Sequence, residues 1–217
     1  MNTKYALTLT LATLLTASCA TDDPNRRAKT GALIGAVAGA VAGNQTDSKN
    51  GKFVGAALGG IVGYKVGQYQ DQQQKELEEA LANELAANQI DIQRLEDDVL
   101  RVNLSSEASF DVDEAKVKAP FYPSLDKISE VVGKYDQTKI VVIGHTDDSG
   151  EEEYNQVLSE RRSMAVADYL TSGGIPGQRL STEGRGELAP RTGNDTEQNR
   201  MANRRVEIDL IPIIKEE

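Results

Sequence analysis

The chain has 217 residues and a formal net charge of −10, which suits one ordinary domain with additional segments and excludes general nucleic-acid binding, since that needs a basic footprint. One cysteine excludes an internal disulfide framework and a cysteine-rich metal site. With no tryptophan and only 3 phenylalanines, the core must be built from Val, Ile, Leu and Ala.

Residues 1–18 read as a signal peptide. Lys4 supplies a positive start, and Tyr5 to Leu15 is an apolar stretch too short to span a bilayer. Thr16-Ala17-Ser18-Cys19 then looks like a bacterial lipobox, although Thr16 stands where leucine is usual. Cys19 is accordingly the expected lipidation site, followed by a lipidated linker to residue 29; a plain secretory signal with an unmodified Cys19 is the alternative. Two or more acyl chains would anchor the chain stably where one would not. Ala20, rather than an aspartate, follows the cysteine, which by the enterobacterial sorting rule directs such a lipoprotein to the outer membrane.

A glycine ladder comes next. Gly31, Gly35, Gly39 and Gly43 recur every four residues, and after a polar break so do Gly55, Gly59, Gly63 and Gly67. At helical pitch this spacing stacks glycines along one ridge, where another helix can approach closely. The break, Asn44 to Gly51, reads as a turn, so residues 30–69 are expected to form a glycine-zipper helical hairpin. Each arm is shorter than the ~20 residues of a spanning helix. In water each glycine costs up to about 1 kcal/mol against alanine, a cost that burial in lipid or self-association into a homo-oligomer would offset. Lys65 can snorkel, and Tyr64 and Tyr69 suit a membrane interface. A flexible Gly/Ala linker is the competing reading.

Residues 70–88, with Leu77, Leu81 and Leu85 at intervals of four, predict an amphipathic connecting helix; three apolar positions are too few for a coiled coil. A globular domain is expected over 89–217. Ile90 to Gln93 and Val99 to Leu104 flank the acidic break Glu96-Asp97-Asp98, as in a β-hairpin, although one helix running to about Val102 fits the same residues. Phe110 lies in a short extended segment. Pro120 to Lys134 reads as a helix burying Leu125, Ile128, Val131 and Val132. Lys139 to Gly144 is a continuous apolar run, as in a strand covered on both faces. Ser149 and Glu152 have capping-box spacing, opening a helix to about Leu170 that Gly173 and Gly174 end. Arg179 to Glu183 is a strand, placed parallel to the previous one by a right-handed crossover. Asn194 and Glu197 repeat the capping signature for a short helix to about Ala202. Arg205 to Ile211 closes the sheet with Val206, Ile208 and Leu210 inward. The fold expected is α+β, a mixed sheet covered by helices on one face.

The candidate site lies around the end of the apolar strand. Ligands favour the crevice beyond the carboxyl ends of parallel strands, and Asp147 falls there. Asn155 and Arg162 are seven apart and so share a helix face. The planar fork of Arg162 suits a carboxylate, charge-assisted bonds are the stronger kind, and the helix N-terminus near Gly150 favours an anion. Together they describe a site for a zwitterion. The alternatives are that Asp147 and Arg162 pair with each other, that Asn155 caps its helix, and that Arg204 makes a structural ion pair. Arg205 reads as structural, and Gly144 as a point of close backbone approach. His145 is the only histidine, short of the three or four ligands of a zinc site; it is expected to pack in or orient its loop. Asp148 and Glu151 to Glu153 add acid that competes with a ligand carboxylate for Arg162. There is no Ser/His/Asp constellation and no phosphate loop, so no catalytic residue, metal or cofactor is expected.

Several motifs recur in order: Gly144-His145-Thr146-Asp147; Tyr154-Asn155 with Leu158-Ser159 and Arg162; Gly174-Ile175 with Arg179-Leu180; and Asn203-Arg204-Arg205-Val206-Glu207-Ile208. This ordered set, from roughly Val99 to Leu210, resembles the OmpA C-terminal-like family of peptidoglycan-binding domains. The resemblance implies non-covalent binding of peptidoglycan, with Asp147 on the ammonium and Arg162 on the carboxylate of diaminopimelate in the stem peptide. It also implies that Thr146 and Asn155 line the site, with Arg204 a further candidate. The glycine ladder is similar to that of some outer-membrane lipoproteins that carry an OmpA-like domain. The expectation is an outer-membrane lipoprotein facing the periplasm and tethering membrane to wall. The alternative is a zipper that oligomerises or acts in membrane assembly, positioned by its wall-binding domain.

Overall fold

The computed structural model describes residues 51–95 and 98–213; the signal segment, Cys19 and the first glycine ladder lie outside the described residues. A 30-residue helix, α1 (Gly51–Ala80), comes first. Gly51, expected in a turn, is its opening residue, so the second glycine ladder and the expected connecting helix are one element. No proline interrupts it, and beyond Gly67 its Gln, Glu, Lys, Leu and Ala are good helix formers. A short helix, α2 (Ala82–Ala86), follows, and Asn88 at φ 53° turns the chain into the sheet. Among the described residues no helix is long and apolar enough to cross a membrane.

The C-terminal half of α1 is built into the globular unit. Leu77 and Leu81 are fully buried in the core, with Leu85 at its margin. The Tyr69 and Tyr135 rings meet edge to face at 5.0 Å. The Tyr69 hydroxyl accepts from the Gln137 backbone N at 3.0 Å, Tyr135 donates to Glu76 at 2.9 Å, and Arg94 pairs with Asp71 at 2.7 Å.

Five strands form one sheet: β1 (Ile90–Arg94), β2 (Leu100–Ser105), β3 (Thr138–His145), β4 (Leu180–Gly184) and β5 (Arg205–Pro212), in the order β1-β2-β5-β3-β4. β1 and β2 pair antiparallel with Ile90 opposite Leu104, so the segment is the hairpin and not a continuous helix. β3 and β4 are parallel, with Ile140 opposite Leu180, joined across α5 (Glu152–Ser172). β5 lies antiparallel between β2 and β3, with Leu210 opposite both Leu100 and Ile140. α3 (Ser106–Ser109), α4 (Tyr122–Lys134) and α6 (Glu197–Asn203) complete the described helices.

The core lies on the helix-covered face. Leu100, Val102, Leu104, Ile140, Val142, Val206, Ile208 and Leu210 meet Leu125, Ile128, Val166 and Leu170 from α4 and α5, with Leu77 and Leu81 behind them. Burying each of these side chains contributes roughly 1.5–3 kcal/mol. Gly144 and Gly184 sit opposite each other on β3 and β4, and α5 settles into the gap they leave. A Cβ on Gly144 would collide with the Ser159 carbonyl, and one on Gly184 with the backbone at Glu160.

The second sheet face corrects one expectation. β3 is not covered on both faces along its whole length: Lys139 is exposed and Val141 half-buried. Its distal part instead lies in a buried ionic layer formed by His145, Arg205, Glu207, Asp209 and Asn103. Arg205 Nε donates to Glu207 at 2.7 Å, and Arg205 Nη2 to the Ala189 carbonyl at 3.2 Å, where the loop after β4 crosses this face. Arg101 grips Asp209 through two bonds of 2.6 and 2.7 Å.

Both expected capping boxes are replaced. α5 starts at Glu152 after Glu151, with no side-chain cap; Ser149 lies two residues before the cap position, and its N–H donates to Asp147 Oδ1 at 2.9 Å. α6 is capped by Thr196, whose hydroxyl accepts from Asn199 N at 3.2 Å. Asn194 is drawn away, accepting from Asn203 Nδ2 at 2.7 Å.

Candidate functional site

The polar tip after β3 is held from three sides. Thr146 N donates to the Gly186 carbonyl at 2.9 Å, while the Thr146 Oγ1 is buried without a partner. Asp147 is buried at the mouth of the crevice. One of its oxygens accepts from Ser149 N; the other accepts from Arg204 Nη1. Asn155, buried on α5, donates to the Asp147 carbonyl at 3.3 Å and to Glu187 Oε2 at 2.6 Å. It therefore ties the two loops together rather than capping α5.

Arg162 lies two turns further along α5 on the same side. It is only 5% exposed. Its Nε donates to the Glu114 carbonyl at 2.9 Å, and its guanidinium lies 5.1 Å from the Phe110 ring centroid. Among the described residues no carboxylate comes within the 4.0 Å of an ion pair. Burial pushes its pKa down, with the field of Asp113 opposing. Asp147 and Arg162 thus do not pair with each other.

Arg204 is the hub of an ionic cluster. Besides Asp147 it binds Glu107 at 2.8 Å and Glu197 at 2.7 Å. Burial works against its charge, but bonds to Glu197, Asp147 and Glu107 raise its pKa above the usual arginine value. Arg205 is structural, as its sequence position suggested, held by Glu207 and two backbone carbonyls. His145 is fully buried beneath the tip, with Nε2 at 3.5 Å from Glu207 Oε2 and no hydrogen bond at either ring nitrogen. Burial lowers its pKa. The same Glu207 carboxyl, which burial would raise, is held down to about 2 by His145 and Arg205.

Sequence reasoning missed the loop after α3. Phe110 bridges to Val117, and the intervening segment brings the Phe110 ring and the Glu114 carbonyl onto Arg162. It also missed Glu107 and Glu187. The available signals were a rare phenylalanine beside an acidic run, and the Gly184-Arg185-Gly186-Glu187 turn.

A mixed sheet with a parallel pair, helices on one face and charged groups at the end of its central strand is the arrangement of a known domain class. Residues 109–204 match the OmpA family, and residues 1–71 match the YMGG-like Gly-zipper. Residues 109–204 are thus similar to the OmpA family, and the segment before them is similar to the YMGG-like Gly-zipper. Outer membrane protein A of Bordetella avium is 39% identical over 111 residues, covering 51% of this chain and 57% of that protein. The probable lipoprotein YiaD of Escherichia coli K12 is 32% identical over 133 residues, covering 61% of this chain and 60% of that protein. The chain thus spans under two thirds of the length of these relatives. Among solved structures, a putative MotB-like protein from Desulfovibrio vulgaris superimposes with a TM-score of 0.60 and 26% identity, over 67% of this chain and 95% of that one. The cell wall anchor of the T6SS from Pseudomonas aeruginosa gives 0.56 and 28%, over 64% of this chain and 99% of that one.

Proposed function

We propose that the protein is an outer-membrane lipoprotein, acylated at Cys19, whose globular domain binds peptidoglycan non-covalently and so tethers membrane to wall from the periplasmic side. The observation that carries this is Arg162, a guanidinium almost wholly withdrawn from water with no carboxylate partner among the described residues. A buried unpaired charge costs several kcal/mol, and a ligand carboxylate would remove that cost. Beside it, Asp147, Glu107 and Glu197 share the guanidinium of Arg204, with Arg200 a second partner of Glu197, so three carboxylates face two guanidinium groups and negative charge is left over for an ammonium. Diaminopimelate in the stem peptide carries both groups. Thr146 and Asn155 hold the loop that bears Asp147, and Arg204 positions its carboxylate. The relatives named as outer-membrane proteins, and the solved cell wall anchor, support the same reading. The domain binds; nothing in this arrangement calls for bond breaking.

Co-sedimentation with purified peptidoglycan is the test. Asp147→Ala and Arg162→Ala should each abolish it while leaving the domain folded, as read by circular dichroism. Truncating one partner of a buried, hydrogen-bonded charge pair costs about 2–5 kcal/mol of binding, enough to take the protein off the pellet. If both variants sediment like the parent, the site is elsewhere. The YMGG-like match over residues 1–71 favours a second reading, in which the glycine zipper self-associates and is the working part. Deleting residues 31–67 separates the two: loss of multimers and envelope integrity with retained wall binding supports the zipper.

A further inference from the structure

The geometry points to a second subsite beside Arg162, a groove that takes the pyranose rings of the glycan strand from which the stem peptide hangs. This rests on the stem-peptide reading above. The groove has a volume of about 620 Å³ and lies between the N-terminal half of α5 and residues 113–116, a size within the usual range for ligand pockets. Glu114 joins it to the Arg162 crevice: the residue lines the groove while its carbonyl holds Arg162 Nε at 2.9 Å. The two sites therefore share one loop. That loop is tightly shaped, with Asp113 in the left-handed region at φ 58°.

The lining has two characters. Tyr154 and Val157, both lining the groove, present apolar surface to solvent, at 49% and 39% exposure. Around them stand carboxylates, Asp113 and Glu153 among them, and two donors, Lys116 and Arg161. A pyranose ring has the same duality. Its C–H face stacks on an aromatic ring, its hydroxyls donate to carboxylates, and the carbonyl of an N-acetyl group accepts from a guanidinium or ammonium. A purely cationic ligand could use the acids and the tyrosine face but would be repelled by the two cationic donors, Lys116 and Arg161.

The spacing agrees. Tyr154 and Arg162 are eight residues apart on α5, or about 12 Å. The diamino acid is the third residue of the stem. The two residues before it reach up to about 7 Å, and the lactyl ether adds a few bonds before the sugar. A ligand whose diamino acid lies on Arg162 therefore brings its sugar to the height of Tyr154.

Calorimetric titration of the unacylated chain beginning at Ala20 tests this, with two ligands: the free stem tripeptide and the same tripeptide on its disaccharide. The parent should bind the disaccharide form at least tenfold more tightly. Tyr154→Ala should erase that gain without changing affinity for the free tripeptide, and Tyr154→Phe should preserve it. Because Tyr154 is half exposed, the melting temperature should stay put in both. Equal affinity of the parent for the two ligands would overturn the inference, as would a gain that survives Tyr154→Ala. If the parent binds neither ligand, the stem-peptide reading falls as well; if it binds the free tripeptide through Arg162 but gains nothing from the sugar, only this inference falls.

Discussion

Truncating Leu81 asks whether α1 is part of the fold or merely leads into it. Leu81 is 0% exposed, as is Leu77 one turn earlier, and both join the core cluster of the sheet. Leucine-to-alanine changes in cores cost about 2–5 kcal/mol, the spread reflecting how far the site collapses. Leu81 is closed in by several elements, so a central value of about 3 kcal/mol is expected against a total stability of roughly 5–15 kcal/mol. For an ordered unit of this size that is a fall in Tm of about 6–12 °C. Leu85, only partly buried at the core margin, should lose under about 1 kcal/mol on the same change. Urea unfolding followed by near-UV circular dichroism reads the packing of the tyrosines, including the Tyr69–Tyr135 pair. Peptidoglycan sedimentation at 25 °C should be unaffected, since the variant remains mostly folded. A loss below about 1 kcal/mol for Leu81→Ala, with an unchanged urea slope, would refute the reasoning, because α1 would then lie outside the cooperative unit.

Other outcomes follow from the same geometry. Gly144→Ala places a methyl group into the Ser159 backbone, so α5 must move off the sheet; soluble yield and Tm should both drop sharply, and a melt within 2–3 °C of the parent, roughly 1 kcal/mol, would show that α5 adapts. Phe110→Leu keeps an apolar side chain but removes the ring face under Arg162. Cation–π contacts of this kind are worth about 0.5–2 kcal/mol, so wall affinity in a sedimentation titration should fall a few-fold to roughly thirtyfold. Acid should destabilise the domain in two stages. His145, lowered in the fold by burial, costs stability as pH falls below its ordinary value of 6.5, because the unfolded chain takes the proton first. Glu207, held in the fold at about 2 against an ordinary 4.5, contributes stability that is present above pH 4.5 and lost as pH falls toward 2. Glu207→Gln should therefore be less stable at neutral pH and show a flatter decline between pH 4.5 and 2; a parallel decline would reassign the acid sensitivity.

Much of the architecture was legible because its cause is local periodicity. The alternation of Val206, Ile208 and Leu210 fixed the inward face of β5, and the run of Leu77 and Leu81 marked the buried stripe of α1. The same alternation was silent about Arg205, Glu207 and Asp209. They fall on the other face of the strand, yet they are buried, because Arg101 on β2 and the loop at Ala189 come over them from distant parts of the chain. Asp147 and Arg162 could be named from their motifs, but their partners could not. The Asp147–Arg204 bond joins residues 57 apart, and the Arg162–Glu114 bond joins residues 48 apart. The start of α6 was misplaced because in a segment such as 193–197, with Asn, Asp and Thr in a row, several residues can cap, and tertiary bonds decide which is left free to do so.

The way α1 meets the sheet bears on the proposed tether. Tyr69 reaches Thr138, the first residue of β3, at 3.3 Å, and Gln70 donates at 3.5 Å to the carbonyl of Leu210, near the end of the antiparallel β5. Asp147 and Arg204 lie beyond the other ends of those same strands. With 8 residues in β3 at about 3.3 Å each, the two poles are roughly 26 Å apart. From Tyr69 the helix runs back toward Gly51, so α1 meets the sheet at the pole away from Asp147 and Arg204. An anchor leaving at the same pole as the site would press the crevice against the lipid and close it to the wall. In the proposed tether, an anchor leaving at the opposite pole would pull one way while the Arg162 guanidinium would face the murein, as a tether under load requires.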